Sequence, residues 1–223
     1  MKYDCLIIDY GHGGMIDGVY QTPGGKQYHH TDVTPTLSLY EGVSNRMTAL
    51  ELARLALAAG VRVWDCVADR WLELPLGCSR CDLEQTDVPL SARVRSANKH
   101  PGGLLISCHS NAVGNSIRGP SLPANGVDIY TSRGNTRADA VADTVFRSFG
   151  EHLAGLRLRG GEYSDGDSDH EADFYVLRKT SMPAVLGEVG FFTNLGDAQF
   201  LAEPENHFWI GQAYWMGVRE WLL

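Results

Sequence analysis

The chain has 223 residues, of which 43% are hydrophobic and 21% are charged, an ordinary composition for a globular protein and a length that suits one α/β domain over residues 1–223. Its net charge of −8 and its scattered Lys and Arg argue against a nucleic-acid-binding protein. No apolar run approaches the roughly 20 residues that span a bilayer, so we expect no stable membrane association. The first predicted strand begins almost at once, which leaves no room for a signal peptide, and we expect synthesis in the cytoplasm.

Strand and helix patterns alternate along the chain. Short apolar runs rich in β-branched residues predict buried strands, and apolar residues at helical spacing predict helices. In chain order we predict a strand at CLIID, a helix at SNRMTALELARLALAAG, a strand at VRVWDC, a helix at LSARVRSANKH, strands at GLLISCHS and GVDIYTS, a helix at TRADAVADTVFRSFGEHL, strands at DFYVLRKT and PAVLGEVGFF, and a helix at HFWIGQAYWMGVREWL. This order predicts an α/β fold with a mostly parallel central sheet flanked by helices on both faces.

Three stretches carry no regular pattern, namely residues 15–38, 67–89 and 155–172. Loops of this length in a compact domain are often functional. The second stretch contains Cys78 and Cys81, which we interpret as free thiols because no further Cys or His pair completes a zinc motif. The third leads into an aspartate-rich segment, 162–173, which we expect to be a solvated acidic loop.

Ionisable residues stand where several predicted strands end. His12 follows the first strand in a glycine-rich turn, His109 ends the third strand, and Glu188 lies near the end of the last strand. Because the carboxyl ends of parallel strands share one edge of a sheet, these side chains are expected to point into one crevice. Glu41, at the start of the first helix, can join them if the 15–38 loop folds back over that edge.

Two histidines and one carboxylate form a typical catalytic zinc site with an open fourth position. We therefore predict one Zn²⁺ per chain, held by His12, Glu41 and His109. Glu188 is then the unbound carboxylate that acts as general base and later as general acid. Asn45, four residues after Glu41 on the same helix face, is placed to steady it.

Each of these residues also has a plainer interpretation. Glu41 could be a first-turn glutamate that the helix dipole favours, and His109 could be hydrogen-bonded beside the turn that contains Asn111. Glu188 could pair with an arginine such as Arg93. If all these plainer interpretations were correct, several ionisable groups would meet at one sheet edge by accident. We therefore favour the metal site.

The motifs, taken together and in order, resemble those of the zinc-dependent N-acetylmuramoyl-L-alanine amidases of the amidase 3 type. IIDYGHGG resembles a first motif that usually reads Asp-Pro-Gly-His-Gly, with Tyr10 in place of the proline. YEGVSN resembles the second motif, and LSARVRSAN resembles the helix that precedes the third. LLISCHSNA and FYVLRKTSMPAVLGEVGFFTN resemble the last two motifs, so the likeness covers nearly the whole chain.

The resemblance implies a mainly parallel sheet and hydrolysis of the amide that joins N-acetylmuramic acid to the L-alanine of the peptidoglycan stem peptide. It assigns Glu41 and His109 as metal ligands and Glu188 as the catalytic glutamate. We expect substrate-binding or supporting roles for four further residues: Asn45, Arg93, Asn111 and Asn194. We expect a monomer with peptidoglycan as its partner.

A catalytic domain with no separate wall-binding module and no signal peptide suggests a phage lysis enzyme released through a membrane hole, or a delivered toxin. Two other interpretations stay open. A zinc carboxypeptidase-like enzyme that trims stem peptides needs an arginine for the substrate carboxylate, and Arg93 or Arg178 could serve. A non-catalytic wall-binding relative is expected to lack a ligand or Glu188, whereas this chain keeps all four residues.

Overall fold

The central feature of the computed structural model is a seven-stranded sheet. The structure describes residues 2–22, 24–75, 83–160 and 167–223. The strands are β1 (Leu6–Tyr10), β2 (Met15–Ile16), β3 (Val19–Tyr20), β4 (Gln27–His30), β5 (Leu37–Tyr40), β6 (Val63–Asp65), β7 (Arg70–Leu72), β8 (Leu104–Asn111), β9 (Arg118–Gly119), β10 (Val127–Thr131), β11 (His170–Glu171) and β12 (Ala184–Phe191). The helices are α1 (Glu41–Ala58), α2 (Leu90–Ala97), α3 (Arg137–His152), α4 (Tyr175–Lys179), α5 (Leu195–Ala202) and α6 (Pro204–Leu222).

The strand order of the main sheet is β11-β10-β12-β8-β1-β6-β7. β1 pairs in parallel with β6 and β8, and β8 pairs in parallel with β12. β10 runs antiparallel to β12, and β7 runs antiparallel to β6. Every residue of β1 is buried, as expected for a continuous apolar strand in the middle of a sheet that is covered on both faces.

Helices cover both faces of this sheet, as predicted. Successive residues of a strand point to opposite faces. Asp9 binds Arg93 of α2, whereas the ring of the next residue, Tyr10, lies under the guanidinium of Arg46 of α1. On the α1 side, α6 packs between α1 and α3. The predicted α/β fold with a mostly parallel sheet is confirmed.

Two elements differ from the prediction. DFYVLRKT is not a strand but contains the short helix α4. A helical conformation buries the consecutive residues Val176 and Leu177 on one side and leaves their neighbours exposed, whereas a strand would point the two to opposite faces. The hydroxyl of Thr180 donates to the carbonyl of Val176 and closes the helical turn. The β-branched and aromatic composition of this stretch favoured a strand, and tertiary contact overrode it.

The 15–38 stretch is not irregular. It forms a β2–β3 hairpin and, with β9, a three-stranded sheet of order β5-β4-β9. These strands are short and half exposed, so they have no apolar run to mark them in the sequence. α5 also went unpredicted; the side chain of Asn194 caps it by accepting hydrogen bonds from the amides of Gly196 and Asp197.

The acidic stretch is only partly described, and one of its residues contradicts the prediction of a solvated loop. Asp169 is 1% exposed and accepts a 2.6 Å hydrogen bond from the hydroxyl of Thr131, and burial raises its pKa to about 7. Cys78 and Cys81 lie outside the described residues. The other three cysteines are free and buried: Cys5, Cys66 and Cys108.

Among the helices of the described ranges, none has both the length and the apolar character that crossing a membrane requires.

A buried histidine joins α1 to the C-terminal helices. The Nε2 of His207 lies 2.9 Å from the carbonyl oxygen of Leu201, and its Nδ1 lies 3.0 Å from Oγ1 of Thr48. The neutral ring donates to the carbonyl and accepts from the hydroxyl. Burial lowers the pKa of His207 from 6.5 to about 4, so the folded protein keeps this ring uncharged.

This burial predicts a pH dependence of stability. Between pH 6.5 and 4 the unfolded chain binds a proton at His207 that the folded chain does not. The contribution of His207 to the free energy of unfolding is therefore fully present above pH 6.5 and decreases as the pH falls toward 4. We expect a loss of about 2 kcal/mol through this residue between pH 7.5 and 5. Urea unfolding of His207→Gln should lack that part of the pH dependence, and His152→Gln should keep it. If the free energy of unfolding fell equally steeply with pH in His207→Gln and in the parent protein, His207 would not be the source of this pH dependence.

Candidate metal centre

The turn after β1 brings a histidine to the carboxyl edge of the sheet. His12 adopts a left-handed backbone conformation with φ of 68°, which non-glycine residues rarely adopt. Gly11 precedes it where a Cβ atom would come within 1.9 Å of the ring of His109. The glycine is therefore required for the two histidine rings to approach, and their centroids lie 5.3 Å apart.

Two buried arginines hold this turn in place. Arg93 donates to the Asp9 carboxylate at 2.8 Å and to the carbonyl oxygens of Tyr10 and His12 at 2.7 and 3.1 Å. Arg46 donates to the same His12 carbonyl at 2.9 Å. Burial opposes ionisation of Asp9, but the charge of Arg93 outweighs it and holds the pKa of that carboxyl below its usual range. The strained turn is thus fixed by charge-assisted hydrogen bonds.

Of the roles that the sequence analysis considered for Arg93, its contacts fit the supporting one. It does not pair with Glu188, and at 1% exposure it is not available to bind a substrate carboxylate. Three of its four acceptors belong to β1 and the turn that follows, and the fourth is the carbonyl of Val88. Arg93 supports the position of His12.

Three potential ligands converge beside this turn. Glu41 is the first residue of α1, and its Oε1 lies 2.9 Å from Nδ1 of His109 and 3.3 Å from Nε2 of His12. One ligand atom of each residue lies within 4.8 Å of those of the other two. The structure therefore brings together the three predicted ligands, although they come from three separate segments of the chain.

The protonation of His12 and Glu41 fits a metal ion, whereas contacts with carboxylates outweigh burial and raise the pKa of His109. Burial lowers the pKa of His12, which favours the neutral imidazole that can coordinate a cation. Burial alone would raise the pKa of Glu41, but its contacts with His109 and His12 outweigh this effect and keep it ionised. Within the described ranges, His12 Nε2 and Glu41 Oε2 are buried and make ion-pair contacts of 3.3 Å with Glu41 Oε1 and 3.2 Å with Lys26 Nζ, but neither atom has a partner with hydrogen-bond geometry. An ionised carboxylate between two imidazoles is the donor set of zinc.

Sequence reasoning missed one cation at this site. The Nζ of Lys26 lies 3.2 Å from Oε2 of Glu41, the carboxylate oxygen that faces away from the histidines. Lys26 belongs to the segment between β3 and β4, and its side chain is 42% exposed. Nothing in the local sequence marks this lysine, because its position depends on how the hairpins fold over the sheet edge.

Glu188 lies on the next strand of the sheet. In β12 it stands in register with His109 of β8 on one side and with Asp128 of β10 on the other. Its Oε2 is buried and makes no hydrogen bond within the described parts of the chain. Burial raises the pKa of Glu188 to about 7, with the charge of Glu41 adding to the effect. Such a carboxyl can take up and release a proton near neutral pH.

The three predicted supporting asparagines lie at separate places. Asn45 donates to the carbonyl of Gly11 at 3.1 Å, so the contact that the structure shows for it supports the histidine turn rather than Glu41. Asn111 donates to Asp128 at 3.0 Å, next to Glu188 in the sheet. Asn194 caps α5 and donates to the carbonyl of Leu122. These contacts are structural, and a substrate-binding role for the three asparagines stays a prediction.

Comparison with known proteins identifies the class. The profile of the Amidase_3 family, N-acetylmuramoyl-L-alanine amidase, matches residues 6–220. The chain therefore belongs to this family.

Individual relatives are distant but match nearly the whole chain. It is 26% identical over 98% of its length to a Staphylococcus saprophyticus protein named "Probable cell wall amidase LytH" and 23% identical over 97% to an uncharacterized cell wall amidase of Bacillus anthracis. The chain spans only 58% and 35% of the length of these two relatives. The crystal structure of N-acetylmuramoyl-L-alanine amidase from Clostridium difficile 630 superposes with a TM-score of 0.70 at 22% identity, covering 99% of this chain and 97% of that one. This likeness supports the fold.

Removal of the buried arginine tests the support of the turn. Arg93→Met leaves the carboxylate of Asp9 buried with only the Ser107 hydroxyl as a donor, and an uncompensated buried charge costs about 3–5 kcal/mol. We expect a corresponding fall in the free energy of unfolding by urea. The double variant Arg93→Met/Asp9→Asn removes both charges and should recover part of the loss. A single variant as stable as the parent would contradict this role.

Metal binding can be measured without activity. We expect Zn²⁺ to raise the melting temperature, with stabilisation of about 2.7 kcal/mol at a free concentration 100 times the dissociation constant, and a chelator to reverse the rise. His109→Ala removes one of the three converging donors and should abolish the shift. His152→Ala, distant on α3, should retain it. An unchanged Zn²⁺ shift in His109→Ala would exclude this cluster as the site.

Proposed function

We propose that the protein is a zinc-dependent N-acetylmuramoyl-L-alanine amidase that hydrolyses the amide between N-acetylmuramic acid and the L-alanine of the stem peptide. The observation that carries the proposal is the convergence of His12, Glu41 and His109 beside Glu188, whose Oε2 is buried. Membership of the amidase family supplies the bond that such a site would cleave.

In the proposed site His12, Glu41 and His109 hold the zinc ion. When bound, zinc supplies Lewis-acid polarisation of the scissile carbonyl and activation of a water molecule. Arg93 and Arg46 keep His12 in its strained turn, so the ligand is positioned before the metal arrives. Asn45 adds a further hydrogen bond to the same turn, at Gly11.

Glu188 performs the proton transfers. Its carboxylate takes a proton from the attacking water as the C–O bond forms at the carbonyl carbon. It then gives that proton to the nitrogen of L-alanine as the C–N bond breaks. The products are the lactyl carboxylate of muramic acid and a stem peptide with a free amine. A pKa raised to about 7 by burial suits both steps, because neither protonation state is strongly favoured near neutral pH.

The carboxypeptidase-like alternative receives little support. Arg93 is buried in its contacts with β1 and the His12 turn. Arg178 lines a cavity together with Pro183 and Ala184, at the start of β12. Glu188 lies four residues further along that strand, about 13 Å away, towards the other edge of the sheet. Neither arginine is therefore placed to bind the C-terminal carboxylate of a peptide at the metal cluster.

A role in phage-type lysis, with release from the cytoplasm to the cell wall, stays a prediction from the sequence. So do the monomeric state and the restriction of the chain to one catalytic domain.

Mass spectrometry of purified peptidoglycan fragments tests the activity. Stem peptides with a free L-alanine amine should appear with Zn²⁺ and be absent with a chelator. Glu188→Gln should retain the Zn²⁺-dependent rise in melting temperature and lose at least 100-fold in kcat, because a positioned general base contributes about 10²–10⁴-fold. His12→Ala should lose both. Shortened stems that remain attached to muramic acid would overturn the proposal in favour of a peptidase, and an active Glu188→Gln would overturn the assignment of the base.

A further inference from the structure

The face of the sheet that carries Glu188 extends beyond the metal cluster. Residues that stand opposite each other on neighbouring strands project to the same face. His109 and Glu188 are such a pair, and so are Glu188 and Asp128. The three side chains thus form a row across β8, β12 and β10. The row begins at a candidate metal ligand and ends at the buried carboxylate of Asp128.

A β-bulge adds an aromatic ring to this face. Between Glu188 and Phe191 the register of β12 against β8 shifts by one residue, and Gly190 there has a φ of 74°. Phe191 therefore stands opposite Asn111, which shares the face of His109 because it lies two residues further along β8. Without the bulge, Phe191 would project to the opposite face.

Asp128 serves as an anchor at the end of the row. It is 1% exposed and accepts hydrogen bonds from the side chain of Asn111 at 3.0 Å and from Nε of Arg159 at 3.0 Å. The Nε2 of His170 lies 2.9 Å from the same Oδ1 that Arg159 contacts. Three donors from three elements fix the orientation of this carboxylate.

Arg159 is held on several sides but remains accessible. Its backbone amide donates to the carbonyl of Val127 at 2.9 Å, and its guanidinium carbon lies 5.0 Å from the centre of the Phe191 ring. Its Nη1 makes a long contact of 3.5 Å with the carbonyl of Asn125. Within residues 2–22, 24–75, 83–160 and 167–223, no acceptor contacts Nη2, and the side chain is 34% exposed. The guanidinium is thus preorganised with donors to spare.

We propose that Arg159 is a substrate-binding residue that determines specificity by binding a carboxylate of the stem peptide. This inference rests on the amidase function proposed above and specifies the part of the substrate that its site recognises. Guanidinium donors held by a buried carboxylate and an aromatic ring lose little freedom when a second carboxylate binds, and their fork geometry matches one. Asp128 acts through Arg159 and is a positioning residue.

The spacing indicates which carboxylate binds. Adjacent strands lie about 5 Å apart, and the contact of Asp128 with Arg159 adds 3.0 Å to this, so the guanidinium lies at most roughly 8–10 Å from Glu188. An extended peptide advances about 3.5 Å per residue. A peptide whose first amide lies at Glu188 therefore reaches Arg159 with its second residue. In the stem peptide this is the residue after L-alanine, and its α-carboxylate is the proposed ligand.

The test compares two substrates that differ at this group, N-acetylmuramoyl-L-alanyl-D-glutamate and its α-amide. For the parent protein we expect a KM about tenfold lower for the α-carboxylate compound. Arg159→Gln should raise the KM of that compound about tenfold, leave kcat unchanged and alter the KM of the α-amide less than twofold. Arg159→Lys keeps the charge and should retain part of the preference. Equal KM values of the two compounds for the parent protein would overturn the inference, as would an equal rise of both values in Arg159→Gln.

Two controls separate this inference from stability and from the amidase activity itself. Arg147→Gln, on the exposed side of α3, makes the same change of charge and should leave both KM values unaltered. Calorimetry with the Zn²⁺-loaded Glu188→Gln protein compares binding of the two compounds without turnover. A parent protein that cleaves neither compound would contradict the proposed function, whereas equal calorimetric affinities would contradict the role of Arg159. The two failures are therefore distinguishable.

Discussion

The buried guanidinium of Arg93 fixes the turn on which the candidate site depends. It neutralises Asp9 inside the sheet and also donates to the carbonyls of Tyr10 and His12. Those carbonyls lie where the strand ends and no neighbouring strand can pair with them, so without a donor they would be buried unsatisfied. The left-handed conformation of His12 persists because these contacts over-determine it.

The two glutamates of the site illustrate how position sets the chemistry of identical side chains. Glu41 lies between two imidazoles and near an ammonium group, and it stays ionised although it is fully buried. Glu188 has no such partner for its Oε2 and lies near another carboxylate, so burial raises its pKa to about 7. The first environment suits a metal ligand and the second suits a proton carrier. The sheet register places Glu188 beside His109, and the start of α1 places Glu41 in contact with the same histidine.

The edge strands extend the same site in two directions. On one side the hairpins of residues 15–40 bring Lys26 to the outer oxygen of Glu41. On the other side β10 and the segment after α3 bring Asp128 and Arg159 alongside Glu188. The cations beside Glu41 and Asp128 suit the anionic substrate proposed above. The overall charge of −8 gives no hint of this local arrangement.

The sequence by itself determined the order of the main strands and helices and the residues that end them. Long apolar runs and helical periodicity are local signals, and so is a histidine that follows a strand, which is why β1, β8, β12 and the candidates His12, His109 and Glu188 could be predicted. The tertiary structure alone decided what depends on contacts between distant segments. The single turn of α4 and the small sheet β5-β4-β9 formed where the local sequence patterns were weak or favoured another structure. The support that Arg93 gives to the turn of His12 could not be read from a local pattern, because its partner Asp9 lies 84 residues before it in the chain. Lys26 and Arg159 were not predicted for the same reason, since a charged side chain acquires its role from the partners that folding brings beside it and no local pattern records them.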